Sequence, residues 1–352
     1  MRRTPVGSMR VGVITGITGQ DGSYLAELLL KKEYHVLGLV RHTSHLQEKK
    51  RIEHLLSHPN LTLRVGDITD SSSMQSLVSY LETLNAEVVE VYNLAAQSFV
   101  KLSFDMPEMT THHNCIGVTK LLEAFRMSRL RPHVRIYQAS SSEMYGKVLE
   151  VPQTETTPFY PRSPYGVTKV YAYWMSKNYR ESSGMFVSNG ILFNHESPRR
   201  SELFVTRKVT AAAARIAKGS TLPLVLGNLN AQRDWGHAAD YVDAMWRILQ
   251  HPTPDDWVIS SNETHSVREL VEVAFRAVGR QITWSGTGDQ EIGTDQTGRV
   301  LVKVSPEFYR PTEVDLLIGD STKSRTQLQW VPTYTFESLI QEMVANDVAI
   351  QS

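Results

Sequence analysis

From Arg10 onward the chain alternates short apolar runs with stretches whose apolar residues recur at helical spacing. RVGVITG (10–16) precedes a helix over about Ser23–Glu33, and HVLGLVR (35–41) follows it. The next units are LTLRVGD with a helix after Ser72, EVVEVYNLA with a helix around Pro107–Arg129, and HVRIYQAS. A helix over about Ser163–Ser182 leads into MFVSNGILFN. Runs this short, apolar at nearly every position and rich in Val, Ile and Leu, suit strands covered by helices on both faces. Strand and helix in alternation predict an α/β fold: a doubly wound parallel sheet with ligands outside the carboxyl ends of its strands.

Beyond Asn194 the alternation breaks. NHESPRRSELFVTRK is polar and basic, VTAAAARIAKG is a helix ending at Gly219, and TLPLVLGN is a short strand. Asp240–Gln250 is helical, DDWVISSN returns to strand, and VRELVEVAFRAVG is an amphipathic helix closed by Gly279. The stretch Gly286–Gly298, with four glycines and little hydrophobicity, reads as a mobile loop.

Composition narrows the function classes. A chain of 352 residues holds one large or two medium domains. Its 37 basic and 37 acidic residues cancel, so no global field draws it to nucleic acid or anionic lipid, and an anionic ligand must meet a local basic cluster. No apolar run approaches the length of a membrane span. The single cysteine, Cys115, forms no internal disulfide; it lies in a helical pattern and reads as a buried structural thiol in a reducing, cytoplasmic compartment. Residues 1–8, basic but without the apolar core of a signal peptide, read as a tag remnant or a disordered tail.

TGITGQDG sets Gly16, Gly19 and Gly22 between a buried strand and a helix, the context in which backbone approaches a pyrophosphate and a helix start supplies free N–H groups. At the end of the second strand, where an NAD site carries Asp or Glu for the ribose hydroxyls, stands Arg41, followed by His42, Thr43 and Ser44. A guanidinium there suits the 2′-phosphate of NADP. Asp67, after the third strand, either accepts from the adenine amino group or forms a turn before Ile68. Asn93, Leu94, Ala95 and Ala96 end the fourth strand with small residues where the cofactor backbone passes.

Tyr165 and Lys169 sit four apart near a helix start, so both project from one face and the ammonium can lower the phenol's pKa. Tyr173 and Lys177 repeat the spacing deeper in the helix, inside the aromatic stretch YAYWM, and read as packing. Upstream, QASSSEMYG offers Ser140, Ser141 and Ser142 and the carboxylate of Glu143, a group able to work as base and acid on a carbon acid or equally to be a solvated loop residue. Metal chemistry has little support: His112 and His113 are adjacent and face different ways, and His54 and His58 lack the glutamate of a zinc helix. Arg199, Arg200, Arg207, Lys208, Arg233 and Arg310 are the local charge that could cradle a diphosphate.

Taken with GITGQDGSYLAELLL, VYNLAAQS, YQASSSEMYG, TPFYPRSPYGVTKVYAYW, NGILFNHESPRR, RDWGHAADYV and FYRPTEVDLLIGD, these motifs make the chain resemble, from about Arg10 to near its end, the extended short-chain dehydrogenases/reductases that modify nucleotide sugars, and among them the GDP-mannose 4,6-dehydratase family. The resemblance implies an active site of Ser141, Glu143, Tyr165 and Lys169. It implies NADP held by Gly16, Gly19, Gln20, Asp21, Gly22, Arg41, Asp67, Ile68, Leu94, Ala95 and Ala96, with Tyr165, Lys169, His195 and Arg200. It implies a GDP-sugar met by Ser98, Glu143, Asn194, Val205, Thr206, Lys208, Arg233, Arg310 and Glu313, no metal, and a homo-oligomer, tetramer or dimer, in which the segment after Arg41 reaches a neighbour's cofactor. The implied organisation is an NADP-binding Rossmann-type unit over 9–192 that regains 228–262, and a smaller GDP-sugar unit from 193–227 and 263–348.

The implied reaction is an internal redox cycle on GDP-mannose: oxidation at C4, loss of water across C5 and C6, and hydride return to C6. Departures from the family pattern are Ser141 where Thr is frequent, His42 as the second of a paired arginine, a basic loop His45–Lys50, and Phe99 where many members have His. Three other outcomes stay open: a related substrate such as a GDP-manno-heptose, a reductase or epimerase, and a non-catalytic NADP sensor.

Overall fold

A computed structural model of the chain describes residues 9–42, 50–309, 312, 314 and 316–350. The readings made for residues 1–8, Thr43, Ser44, most of the His45–Lys50 loop, Arg310 and Glu313 lie outside these.

Six strands in chain order, β1 (Arg10–Thr15), β2 (His35–Val40), β3 (Leu61–Val65), β4 (Val88–Asn93), β5 (Val134–Ser141) and β6 (Phe186–Leu192), join Asp256–Ile259 in one seven-stranded sheet. The order is Asp256–Ile259, β6, β5, β4, β1, β2, β3, and every pairing is parallel. The order reverses between β1 and β4, and that reversal opens a crevice at their carboxyl ends. One face of the sheet buries Leu25, Leu29, Tyr241 and Met245 from the helices Gln20–Lys31 and Ala238–Gln250. The other buries Leu77, Leu81, Leu121, Phe125 and Ala172 from Ser71–Thr83, Gly117–Arg126 and Pro164–Ser183. Covered on both sides, the strands carry their apolar residues continuously, which is the pattern the sequence displays.

A second core lies in the later part of the chain. Three helices, Val205–Ala217, Val267–Ala277 and Phe336–Ile350, pack with a four-stranded sheet of Thr283–Ser285, Ile292–Thr294, Val300–Val304 and Leu224–Leu226. Leu328 and Trp330, from the same stretch of chain, pack instead against the first core.

Three local expectations are corrected. The first helix starts at Gln20 rather than Ser23, because Gly19 is already its N-cap. The helix around Pro107–Arg129 is broken into Pro107–Thr111, a widened turn over His112–Ile116, and Gly117–Arg126. Gly286–Gly298 is ordered into the antiparallel strand Ile292–Thr294 rather than left as a loop. Its glycines serve geometry: Gly286, Gly288 and Gly298 turn the chain at positive φ, and a Cβ on Gly293 would meet Ile282 and Trp284 at 2.9 and 3.0 Å.

Candidate active site

At the end of β1 the chain turns at Gly16, with φ +73°. A Cβ there would stand 3.2 Å from the backbone of Ala95, and one on Gly22 would stand 2.3 Å from the carbonyl oxygen of Gly16. The turn, the helix start and the segment after β4 therefore approach backbone to backbone. A buried hydroxyl ties them: Thr15 Oγ1 donates to Asn93 Oδ1 (2.8 Å) and accepts from the N–H groups of Leu94 and Ala95 at 3.0 and 3.1 Å. Asn93 Nδ2 passes the chain of bonds to Gln138 Oε1 on β5 (2.8 Å). The cleft above these strand ends has a volume of about 580 Å³ and receives the positive end of the helix Gln20–Lys31.

Across the cleft, Ser163 caps the helix Pro164–Ser183 by accepting from the Gly166 N–H (3.0 Å), which places Tyr165 and Lys169 in its first turns. A side chain on Gly166 would stand 2.8 Å from the Glu143 carbonyl oxygen, so glycine lets this helix start close on the turn that carries the carboxylate. The Glu143 N–H donates to Ser141 Oγ (3.2 Å). Ser141, Glu143, Tyr165 and Lys169 all line the cleft.

Tyr165 is 8% exposed. Burial pushes its phenol up to about 12, and hydrogen bonding to Ser141 pulls the other way. The acidification expected from Lys169 is not what the geometry delivers. Its Nζ donates to the Ala139 carbonyl at 2.8 Å and stands 5.7 Å from the tyrosine ring centre, so desolvation dominates the phenol. Lys169 itself is lowered to about 8 by burial, against the attraction of the Asp21 carboxylate.

Gln20 and Asp21 join the helix start to the strand Asn194–Glu196. His195 Nε2 lies 2.7 Å from Asp21 Oδ2 and its Nδ1 lies 2.8 Å from the Phe193 carbonyl. Gln20 Nε2 donates to the His195 carbonyl (3.1 Å), and Ser197 Oγ donates to Gln20 Oε1 (2.8 Å).

Every described residue that the resemblance implies against the cofactor lines this one cleft: the glycine turn with Gln20 and Asp21, Arg41, Asp67, Ile68, Leu94, Ala95, Ala96, His195 and Arg200, whereas Asn93 lies beneath it, bonded to Thr15 and Gln138. Asp67 also makes the turn, its Oδ1 accepting from the Thr69 N–H and hydroxyl at 2.8 and 2.7 Å. Of the residues expected at the sugar nucleotide, Ser98, Glu143 and Asn194 line the cleft. Val205, Lys208 and Arg233 do not. Val205 opens a helix of the second core, the Lys208 ammonium lies 3.6 Å from the Phe308 ring centre, and Arg233 is buried and donates to the Gln232 carbonyl. Thr206 is buried on Glu196. In the six-residue diphosphate cradle three members are already paired: Arg199 with Glu27 at 2.5 Å, Arg200 with Glu196 at 2.9 Å and Arg207 with Asp347 at 2.6 Å.

The second tyrosine–lysine match is structural. Tyr173 is buried and donates to Asp256 Oδ2 (2.9 Å), and Lys177 lies 3.8 Å from the same oxygen. Cys115 is buried against the Thr168 carbonyl. Among the described residues no three His, Cys, Asp or Glu side chains gather as for a metal.

Two contributors escaped the sequence reading. Asn114, in the widened turn, exchanges hydrogen bonds with both backbone groups of Gln97 (2.9 Å each) and donates to Thr168 Oγ1, fixing the cleft wall to the helix of Tyr165. Arg51 lines the cleft and donates to the carbonyls of Arg199 and Thr18. A polar residue inside a helical pattern and one arginine after a basic loop carry no distinguishing sequence signal.

A glycine turn at the switch point of a doubly wound sheet, facing Ser, Tyr and Lys across one cleft with an added carboxylate, defines an extended short-chain dehydrogenase/reductase of the kind that modifies nucleotide sugars. The solved structure of dTDP-glucose 4,6-dehydratase from Bacillus anthracis in complex with NAD has this fold: the TM-score is 0.77 at 21% identity, over 96% of each chain. The family model for GDP-mannose 4,6 dehydratase matches residues 13–343. GDP-mannose 4,6 dehydratase 2 of Caenorhabditis elegans is 53% identical over 97% of this chain and 90% of its own length. The human GDP-mannose 4,6 dehydratase is 51% identical over 97% of this chain and 92% of its own. The chain belongs to the GDP-mannose 4,6-dehydratase family, and its fold is that of the nucleotide-sugar dehydratases and epimerases.

Proposed function

We propose that this chain converts GDP-mannose to GDP-4-keto-6-deoxy-mannose with NADP. The observation that carries the reading is the presence of Glu143 in the same cleft as Ser141, Tyr165 and Lys169, since oxidation at a carbinol needs the last three alone and elimination at the neighbouring carbon needs a further base. Relatives that bear the dehydratase name at about half identity over nearly the whole chain support it.

The cleft fits a dinucleotide: its floor is glycine backbone at a helix start, where Cβ atoms would collide. Arg41, exposed at the end of β2 and lining the cleft, supports NADP over NAD. When bound, the cofactor supplies hydride removal from C4 and hydride return to C6. Tyr165 takes the proton of the 4-hydroxyl, with the Ser141 hydrogen bond offsetting part of the burial penalty on its phenolate, while the Lys169 ammonium, held on the Ala139 carbonyl, lines the same cleft. The ketone at C4 acidifies C5. Glu143 removes the C5 proton and donates it to the departing C6 hydroxyl, which leaves as water; with hydride return to C6 a proton returns to C5, balancing the one taken from the 4-hydroxyl.

Self-association accompanies this reading. Val167, Tyr171 and Trp174 stand on one face of the helix Pro164–Ser183 and are 55, 38 and 53% exposed. Such a stripe suits a second copy of the chain, in a dimer or tetramer. No described helix is long and apolar enough to cross a membrane, and the lone reduced thiol of Cys115 supports a cytoplasmic enzyme.

Incubating the protein with GDP-mannose and NADP and weighing the nucleotide sugar by mass spectrometry tests the assignment. The expected result is loss of one water with NADP unconsumed; unchanged GDP-mannose refutes it.

A further inference from the structure

His195 stands between two oxygens that bring no hydrogen. Its Nδ1 faces the Phe193 carbonyl at 2.8 Å and its Nε2 faces the Asp21 carboxylate at 2.7 Å. A neutral imidazole has one N–H and satisfies one of them; only the imidazolium donates to both. Asp21 is itself held in place, its other oxygen accepting from Gln20 Nε2 at 3.0 Å. The ring is stacked on Tyr241, with centres 4.6 Å apart. Charged and titratable groups face it from every side: Asp21 from the first helix, Arg200 from the loop beyond, Tyr241 from the helix Ala238–Gln250, and His237 from the strand before that helix. Asp21 is the carboxylate among them.

We propose that Asp21 is a positioning residue: its carboxylate keeps His195 doubly protonated through neutral pH, making the ring a fixed cation beside the glycine turn and a staple on the strand that carries Asn194. The inference rests on the reading of this cleft as the NADP site. It explains why an acidic residue occupies the first turn of a helix whose amino end receives an anion. Unpaired, that carboxylate would repel a pyrophosphate; paired with the imidazolium, it presents a neutral unit to the cleft, where Lys169 is a further cation and Arg200 is paired with Glu196 at 2.9 Å. Burial works against the charged ring, and the charge and hydrogen bond of Asp21 outweigh it, holding the His195 pKa above its ordinary value.

The test has two arms on the full chain. With ¹⁵N-labelled histidine, the two ring nitrogens of His195 are followed by NMR from pH 5 to 9 without cofactor. Both stay protonated in the wild-type protein to a pH above the ordinary value of about 6.5, whereas in Asp21→Asn, with burial and Arg200 unopposed, one proton is lost below that value. In the second arm the Kd for NADP is measured at pH 5 and pH 7. The ratio of variant to wild type rises about tenfold or more between them, the cofactor's own ionisation cancelling in the ratio. A wild-type ring that titrates near 6.5, or a ratio that does not change with pH, overturns the proposal; a purely structural staple gives the constant ratio. Should the variant not fold, the wild-type titration decides alone. NADP failing to bind the wild-type protein would refute the cofactor reading and leave the NMR arm intact.

Discussion

Glu143 and Lys169 show how much of a residue's role depends on what surrounds it. Glu143 is buried in the cleft and reachable from the helix of Tyr165 only because Gly166 lets that helix close on it. Glu143→Gln keeps the shape and removes the base, so water loss by mass assay falls about 10³-fold, within the range for a positioned base, while the Kd for NADP changes less than about threefold. Lys169 carries a folded pKa of about 8, below its ordinary 10.5. Below pH 8 the folded state bears the full cost of a buried ammonium. Between 8 and 10.5 the unfolded chain binds more protons, so stability rises with pH, and above 10.5 the cost is gone. Lys169→Met therefore abolishes turnover yet is more stable than wild type at pH 7, by on the order of 1–3 kcal/mol, and the gain shrinks toward zero at pH 10.5. Urea unfolding of both proteins at pH 7 and 10 reads this difference; a variant less stable at pH 7 would contradict it. Nothing in a tyrosine–lysine spacing reveals whether the lysine is buried, which is why the expected acidification of Tyr165 failed.

Among the elements, the glycine turn does most to shape the site. Gly22 is locked by the Gly16 carbonyl at 2.3 Å and Ile17 Cα at 2.6 Å from where its Cβ would stand, and both contacts are backbone, which cannot rotate away. Gly22→Ala must lift the helix Gln20–Lys31 off the turn. The expected cost is about 1–3 kcal/mol of stability by urea titration, as for overpacked sites, with NADP affinity falling at least about tenfold because the helix start moves from the cleft. A variant with wild-type stability and affinity would show the contact to be relaxed. The strands and this turn were legible because β1 to β6 are buried on both faces and the glycines sit at the strand-to-helix junction. The Gly286–Gly298 stretch was misread for the converse reason: glycine marks both mobility and tight turns, and its neighbours Trp284 and Val302, which make it a sheet, lie on partner strands.

In the whole molecule, the cleft belongs to the strand ends of the seven-stranded sheet, and the long connections decide what faces it. Trp174, 53% exposed on a stripe with Val167 and Tyr171, is the point at which a second copy is expected. Trp174→Glu places a charge in that stripe, so light scattering after size exclusion is expected to show a smaller species than wild type while far-UV circular dichroism is unchanged; an unaltered mass would place the contact elsewhere. YAYWM read as packing, and the fold divides it: Tyr173 turns inward to Asp256 while Trp174 faces out. The linear pattern was enough for the parallel sheet, the dinucleotide turn and the pairing of Tyr165 with Lys169 near a helix start, because periodicity and short motifs are local and each confines its residues to one element; Ser141 and Glu143 were singled out by the family resemblance, since the residues alone left Glu143 equally a solvated loop residue. Which arginines stay available and which are spent on Glu27 and Asp347, how Asn114 braces Gln97, and that Asp21 meets His195 were settled only in three dimensions. Each depends on partners 17 to 174 residues apart whose approach is set by the packing of whole helices against the sheet.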